Sequence, residues 1–417
     1  MNLRPYFLVV IAILILIMNG CKLGKTESET ETDNENEETG MWVIVYHPMY
    51  QWPQVSADQV PWDHVTHLSL GYLWPVESNS EYTIGLQPNS WWTGGWGGMT
   101  RWRGEAEVFI QKAPPGKKIL CHLGGAGSNP NGQWTTATSA NNIRKFAENI
   151  KEVLTSLGFD GVDLNWEDDV VFTNLVNLAK ELRGLWPDAI ITIPTGMVGS
   201  DADDLAGAKD AVDVFLPMTY IPVSGWWGGW SIPAPLTPLY GADDNINDID
   251  HVLNQWIKAG VPASKMLMGV GGFGSVWGDG GGVYDNGIGP IAPYVNGGTG
   301  PAEDERISLR GDNFVTWAWV KKTTEANPNT LIKAWDDIGK CSYWHALSKN
   351  QLVYVDGLEI SLIFYETEQS INEKVKFINE KGMKGMGFWT LSQMMDTDGA
   401  CPILETAKPK INSYKGI

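Results

Sequence analysis

Short apolar runs alternate with amphipathic stretches along most of this chain. The runs at residues 42–46, 65–73, 118–123, 161–166, 189–193, 212–218, 266–270 and 385–390 are predominantly apolar. Runs of that length, bounded by polar or turn residues, read as strands buried on both faces. Between several of them the apolar positions recur with helical period, at 140–157, 171–185, 247–259 and 370–381. Strands separated by helices in this way predict an α/β fold, a closed parallel TIM (β/α)8 barrel, with a doubly wound open sheet as the alternative.

The alternation breaks between the seventh and eighth runs, where more than a hundred residues intervene. Residues 352–355 and 358–365 read there as a hairpin around Asp356-Gly357. A small α+β insertion between strands 7 and 8, about 275–384, is therefore expected. The glycine-rich stretch 278–289 lacks the helix start and the Lys of a phosphate-binding loop and reads as a surface loop.

The N-terminus has another pattern. Arg4 precedes a 12-residue apolar run, 7–18, too short to span a bilayer and placed as in an export signal. The run ends in Met18-Asn19-Gly20-Cys21, which resembles the cleavage site of a bacterial lipoprotein. Residues 1–20 are thus expected to be a signal peptide and Cys21 to be lipidated. The chain would sit at the cell envelope or surface, touching membrane through that anchor only; simple cleavage and secretion is the alternative. Residues 21–40 are polar, with seven acids and no apolar period, and read as a disordered linker. The folded domain is expected over 41–417.

Composition sharpens this outline. The chain carries 21 Trp in 417 residues, several times the usual share. Trp91, Trp92, Trp96, Trp226, Trp227 and Trp230 lie in glycine-rich loops and cannot all be core; exposed indoles suit a flat amphipathic partner such as a sugar ring. A formal charge of −19, from 30 basic and 49 acidic residues, offers no footprint for nucleic acid. No motif calls for a cofactor or a metal, and a monomer is expected. Beyond Cys21 the cysteines are Cys121, Cys341 and Cys401, an odd number. Cys121 lies in an apolar run and reads as a buried core thiol; a Cys341–Cys401 bridge stays open.

Barrel active sites lie at the C-terminal ends of the strands. The fourth strand runs Asp160-Gly161-Val162-Asp163-Leu164-Asn165-Trp166-Glu167, so Asp163, Asn165 and Glu167 share one face and Val162, Leu164 and Trp166 the other. Three polar groups in a row facing a barrel interior are costly unless they bond to one another and are used. A buried carboxyl at the top of that ladder suits a general acid; a structural polar cluster capping the barrel is the alternative.

This segment resembles the Asp-Gly-x-Asp-x-Asp-x-Glu signature of glycoside hydrolase family 18, the chitinases and related endo-β-N-acetylglucosaminidases. Asp160, Gly161, Asp163 and Glu167 match it, and Asn165 stands where Asp is usual. Support comes in chain order from Tyr46 on the first strand and from His122-Leu123-Gly124-Gly125, similar to Ser-x-Gly-Gly with His122 in place of Ser. Met218-Thr219-Tyr220 is similar to Met-x-Tyr, and Trp389 stands on the eighth strand. The stretch with Tyr365, Ser370 and Lys374 resembles the family's insertion.

The resemblance implies retaining hydrolysis of β-1,4-linked N-acetylglucosamine polymers, chitin or chito-oligosaccharide, assisted by the substrate. Glu167 would protonate the glycosidic oxygen and later activate water. The sugar's acetamido oxygen would attack the anomeric carbon, giving an oxazolinium ion. Asp163 and Asn165 would orient the acetamido group, and Tyr220 would hydrogen-bond its oxygen. Trp389 would floor the sugar site, with Met218, Tyr46, Gly125, Trp226 and Trp227 completing the substrate-binding set. His122 reads as a satisfied strand-end histidine. An Asn at 165 gives up a charge beside the developing cation, so Asn165→Asp is expected to raise kcat. Two other readings stay open: an endo-β-N-acetylglucosaminidase acting on glycoprotein glycans or peptidoglycan, and a catalytically weak, lectin-like chitin binder.

Overall fold

The computed structural model describes residues 40–86, 98–129, 131–196, 199–220, 235–241, 248–277, 314–347, 353–355 and 358–413. Eight parallel strands surround the core: Trp42–Pro48, His67–Ser78, Lys118–Gly124, Gly161–Asn165, Ile190–Thr195, Val214–Pro217, Leu267–Gly271 and Gly385–Trp389. Each pairs with its neighbour in chain order, the eighth lies between the first and the seventh, and a parallel bridge from Phe215 to Met266 joins the sixth strand to the seventh. The result is a nearly closed (β/α)8 barrel, on strands that each overlap one of the eight runs marked out by hydrophobicity.

Alternation along these strands sorts the side chains into two layers. Trp42, Ile44, Leu120, Val214, Leu216 and Leu267 pack together inside the barrel. Their neighbours Val43, Val45, Ile119, Cys121, Val162, Leu164, Ile191 and Ile193 face outward and join the larger core against the helices. Gly387 makes the interior fit: a Cβ there would stand 2.7 Å from Leu216 Cδ1. The helices supply the matching apolar stripe. Ile143–Leu157 buries Phe146, Ala147, Ile150, Leu154 and Leu157, the i, i+4 spacing of one face, and ends at Gly158 in the left-handed conformation (φ 88°).

Between the seventh and eighth strands the chain builds a small α+β insertion. Its antiparallel sheet runs in the order Phe314–Val315, Gly274–Trp277, Leu362–Phe364, Cys341–Ala346, Leu331–Asp336, and the helix Trp317–Ala326 belongs to the same stretch. The hairpin expected around Asp356-Gly357 forms between Val353–Val355 and Leu358–Ile360. The apolar run 358–365 does not continue as one strand. It bends at Ser361, and Leu362–Phe364 leaves the hairpin to pair with Cys341–Ala346 and with Gly274–Trp277. One apolar run thus serves two sheets. Lys374, wholly buried in the helix Glu368–Lys381, is neutralised by Glu366 at 2.9 Å. Tyr365 donates its hydroxyl to the carbonyl of Gly272 at 2.9 Å and ties the insertion to the end of the seventh strand.

The cysteines resolve the open pairing. Cys121, Cys341 and Cys401 are all free and buried, so no Cys341–Cys401 bridge forms. Burial holds the Cys401 thiol up at about 12 and raises Cys341 further, which keeps both protonated and inert. Residues 1–39, which hold the expected leader, Cys21 and all but the last residue of the expected linker, lie outside the described residues.

Candidate active site

The fourth strand delivers the polar ladder to the top of the barrel. Its pairing puts His122 of the third strand directly beside Asp163, and Asp163 directly beside Thr192 of the fifth. These three therefore form one lateral row on the inner face. At the opposite, N-terminal end, Asp160 accepts the Ile119 amide at 2.8 Å and lies 3.4 Å from the Lys118 ammonium. It stitches the third strand to the fourth, far from the strand ends that carry the ladder. Asp160→Ala is expected to cost about 1–2 kcal/mol of stability, the worth of one charge-assisted bond to a backbone amide, with kcat within about twofold of wild type. Denaturant titration and steady-state kinetics on the same sample check both parts.

Asp163 is the hub. It is wholly buried, and it is surrounded by donors: the Tyr46 hydroxyl reaches Oδ1 at 3.2 Å, the Thr192 hydroxyl also donates to Oδ1, and His122 Nδ1 lies 2.7 Å from Oδ2. A carboxylate with that many donors is fixed in place and needs no water.

Asn165 comes next on the same face, 3% exposed. Its Nδ2 lies 3.2 Å from His122 Nε2 and donates to Glu167 Oε1 at 2.7 Å. Its Oδ1 is buried and has no partner among the described residues. Glu167 stands at the top, half-buried, and burial raises its pKa above the ordinary carboxyl range, against the opposing pull of the Asn165 hydrogen bond. The turn that carries it is fastened through Asp168. That carboxylate accepts the Ser128 amide at 3.0 Å, and the Asp168 carbonyl accepts from Trp166 Nε1 at 2.7 Å and from Asn129 Nδ2 at 3.2 Å. Trp166, on the outward face, stacks on Trp134 at 5.2 Å and 10°.

Aromatic rings wall the ladder. Trp389, half-buried at the end of the eighth strand, lies 5.5 Å from the Tyr46 ring and 6.2 Å from Tyr72. Tyr220 follows the sixth strand and meets Phe273 edge-on at 6.0 Å. Met218, Tyr220, Leu236, Phe273 and Trp389 form one apolar cluster. Burial raises the Tyr46 and Tyr220 phenols well above their ordinary value, with nearby Asp163 and Glu167 adding to it, so both remain donors at any working pH. Gly125 gives its amide to the Asn165 carbonyl at 2.7 Å; it holds the strand end, and a Cβ there would crowd the Tyr72 ring at 3.0 Å. Trp226 and Trp227, like Trp91, Trp92, Trp96 and Trp230, lie outside the described residues.

The structure thus brings Tyr46, Asp163, Asn165, Glu167, Met218, Tyr220 and Trp389 together at the C-terminal end of the barrel. Sequence reasoning set His122 aside, yet it stands in the middle of the group. What reveals it is register, which only the strand pairing supplies: His122 lies directly beside Asp163 and faces the same way.

Comparison with known proteins gives a consistent result. The model of the glycosyl hydrolases family 18 matches residues 43–393. An endochitinase 1 of Metarhizium anisopliae is 27% identical over 324 residues, covering 73% of this chain and 67% of the relative. A Group IV chitinase of Ostrinia furnacalis superposes with a TM-score of 0.70 at 17% identity, over 89% of this chain and 100% of that one. A family 18 chitinase of Cycas revoluta, solved in complex with (GlcNAc)3, superposes with a TM-score of 0.68 at 17% identity, over 88% and 99% of the two chains.

Proposed function

The chain belongs to the family 18 glycosyl hydrolases, and on that premise we propose that it is a chitinase-like endo-hydrolase acting on β-1,4-linked N-acetylglucosamine polymers with retention at the anomeric carbon. The observation that carries this reading is the pairing of Glu167 with Asn165. A carboxyl whose pKa is raised by burial stands next to a buried amide oxygen that no group among the described residues satisfies. An unpaired buried acceptor costs on the order of 1–3 kcal/mol unless a ligand donates to it. An acetamido N–H is such a donor.

In this reading the sugar sits on Trp389, with the glycosidic oxygen toward Glu167. Asn165 Oδ1 takes the acetamido N–H, and the Tyr220 hydroxyl donates to the acetamido oxygen, turning that oxygen toward the anomeric carbon. Glu167 gives its proton to the leaving oxygen while the acetamido oxygen closes on C1. Water, deprotonated by the same Glu167, opens the oxazolinium from the other side. The protein supplies no nucleophile, which is why one carboxyl at the mouth suffices where most glycosidases use two. The chitinase names of the relatives support the substrate class. The leader and Cys21 extend the reading to an exported enzyme tethered by lipid.

The test is hydrolysis of a fluorogenic chito-oligosaccharide, followed by proton NMR during the reaction. First-formed product should be the β-anomer, and a thiazoline mimic of the cyclised sugar should inhibit more tightly than substrate binds. No turnover, or an α-anomer formed first, would remove the proposal.

A further inference from the structure

Two of the places where this chain departs from the family pattern touch each other. His122 replaces the usual Ser and Asn165 the usual Asp, and His122 Nε2 lies 3.2 Å from Asn165 Nδ2. The imidazole is a built-in part of the site. It is 1% exposed, and it sits edge-on to Tyr46 at 5.3 Å and to Tyr72 at 4.9 Å. Gly71 on the adjoining strand makes room for it, since a Cβ there would stand 3.0 Å from His122 Cβ.

The hydrogens of this chain follow from counting donors. Asp163 Oδ2 can only accept, so His122 carries a proton on Nδ1. Asn165 Nδ2 has two hydrogens and two neighbours, His122 Nε2 and Glu167 Oε1. Both are satisfied only if Nε2 is a bare lone pair. The amide then has one orientation, with Oδ1 left over. A serine hydroxyl, which can donate or accept, could not impose it.

We propose that His122 is a positioning residue: held as its Nδ1–H tautomer by Asp163, it accepts one Asn165 hydrogen on Nε2 and so presents Asn165 Oδ1 to the substrate's acetamido N–H. His122 and Asn165 act as one replacement for a Ser and Asp pair. This rests on the substrate-assisted reading above. It also reverses the expectation drawn from residue types alone. In Asn165→Asp the new carboxylate faces Nε2, draws a proton onto it and turns toward the imidazolium, away from the sugar. The rate falls instead of rising.

Two measurements on the full-length protein test the proposal. The first is 15N NMR of the histidine rings in the resting protein, with the His122 signals assigned by their loss in His122→Ser. Wild type should show Nδ1 protonated and Nε2 bare, and Asn165→Asp should show both nitrogens protonated. The second is a kinetic cycle on a fluorogenic chito-oligosaccharide. His122→Ser and Asn165→Asp should each lower kcat about tenfold, with KM little changed, whereas the double variant should return to within about threefold of wild type. An Nε2–H tautomer or an imidazolium in wild type, or penalties that simply multiply in the double variant, would overturn it. The ring signals are read without substrate, so they judge the tautomer even if the wild-type protein fails to turn over chito-oligosaccharide, which would sink the functional reading instead.

Discussion

Glu167→Gln removes turnover of chito-oligosaccharide by a factor on the order of a thousand, within the range that a general acid contributes, and leaves binding intact. The amide keeps the size of the side chain and can still meet Asn165, so the barrel top loses nothing but a proton donor. The loss therefore falls on kcat, and binding measured by calorimetry stays within about threefold of wild type. The pH profile gives the same group a second signature. Burial raises the Glu167 pKa, so the acid form persists above the ordinary carboxyl range. Activity is present while Glu167 is protonated and is lost as pH rises through that raised value. In the Gln variant this basic limb disappears from what activity remains. A variant that keeps more than a tenth of wild-type kcat would take Glu167 out of its role.

The fold was readable because most barrel strands are apolar on both faces, so that runs such as 189–193 and 266–270 stand out against any helix. The insertion was less so. Leu331–Asp336 lies at the edge of its sheet, and its sequence, Leu-Ile-Lys-Ala-Trp-Asp, carries the charge typical of an edge; nothing in it marks a strand. The fourth-strand ladder was legible for a different reason: polar residues at every second position of an otherwise apolar run have no explanation but a shared face. His122 was passed over because a single His in an apolar strand says nothing until its neighbours across the sheet are known. Register, which comes from tertiary pairing, decided its meaning.

The same network makes Asp163 the second residue on which catalysis turns, although it stands beneath the reacting atoms. In Asp163→Asn one of the two oxygens becomes an NH2 group. If that group faces Tyr46 and Thr192, both hydroxyls must turn over to accept from it and give up the bonds they donate to the carboxylate, at the most buried point of the site. If it faces His122, Nδ1 must become the acceptor and the ring proton moves to Nε2. Nε2–H then confronts Asn165 Nδ2 at 3.2 Å, and the amide turns over to offer its oxygen to the imidazole. The sugar would then meet an NH2 where it needs an acceptor, and Glu167 would lose its hydrogen bond. Each of these misplacements is the kind that costs about 2.7–4 kcal/mol in a transition state. We expect kcat to fall by about a hundredfold to a thousandfold, with about 1–3 kcal/mol lost from folding stability as a buried donor is left unpaired. Thr192→Val is the control, since it removes one donor to Asp163 Oδ1 and leaves the His122 side intact; its kcat should stay within about fivefold of wild type, because the imidazole tautomer and the amide it orients are unchanged. Comparable losses in the two variants would mean that Asp163 acts through packing alone. Only a steep loss confined to Asp163→Asn fits a carboxylate that sets the imidazole tautomer and, through it, the amide that meets the substrate.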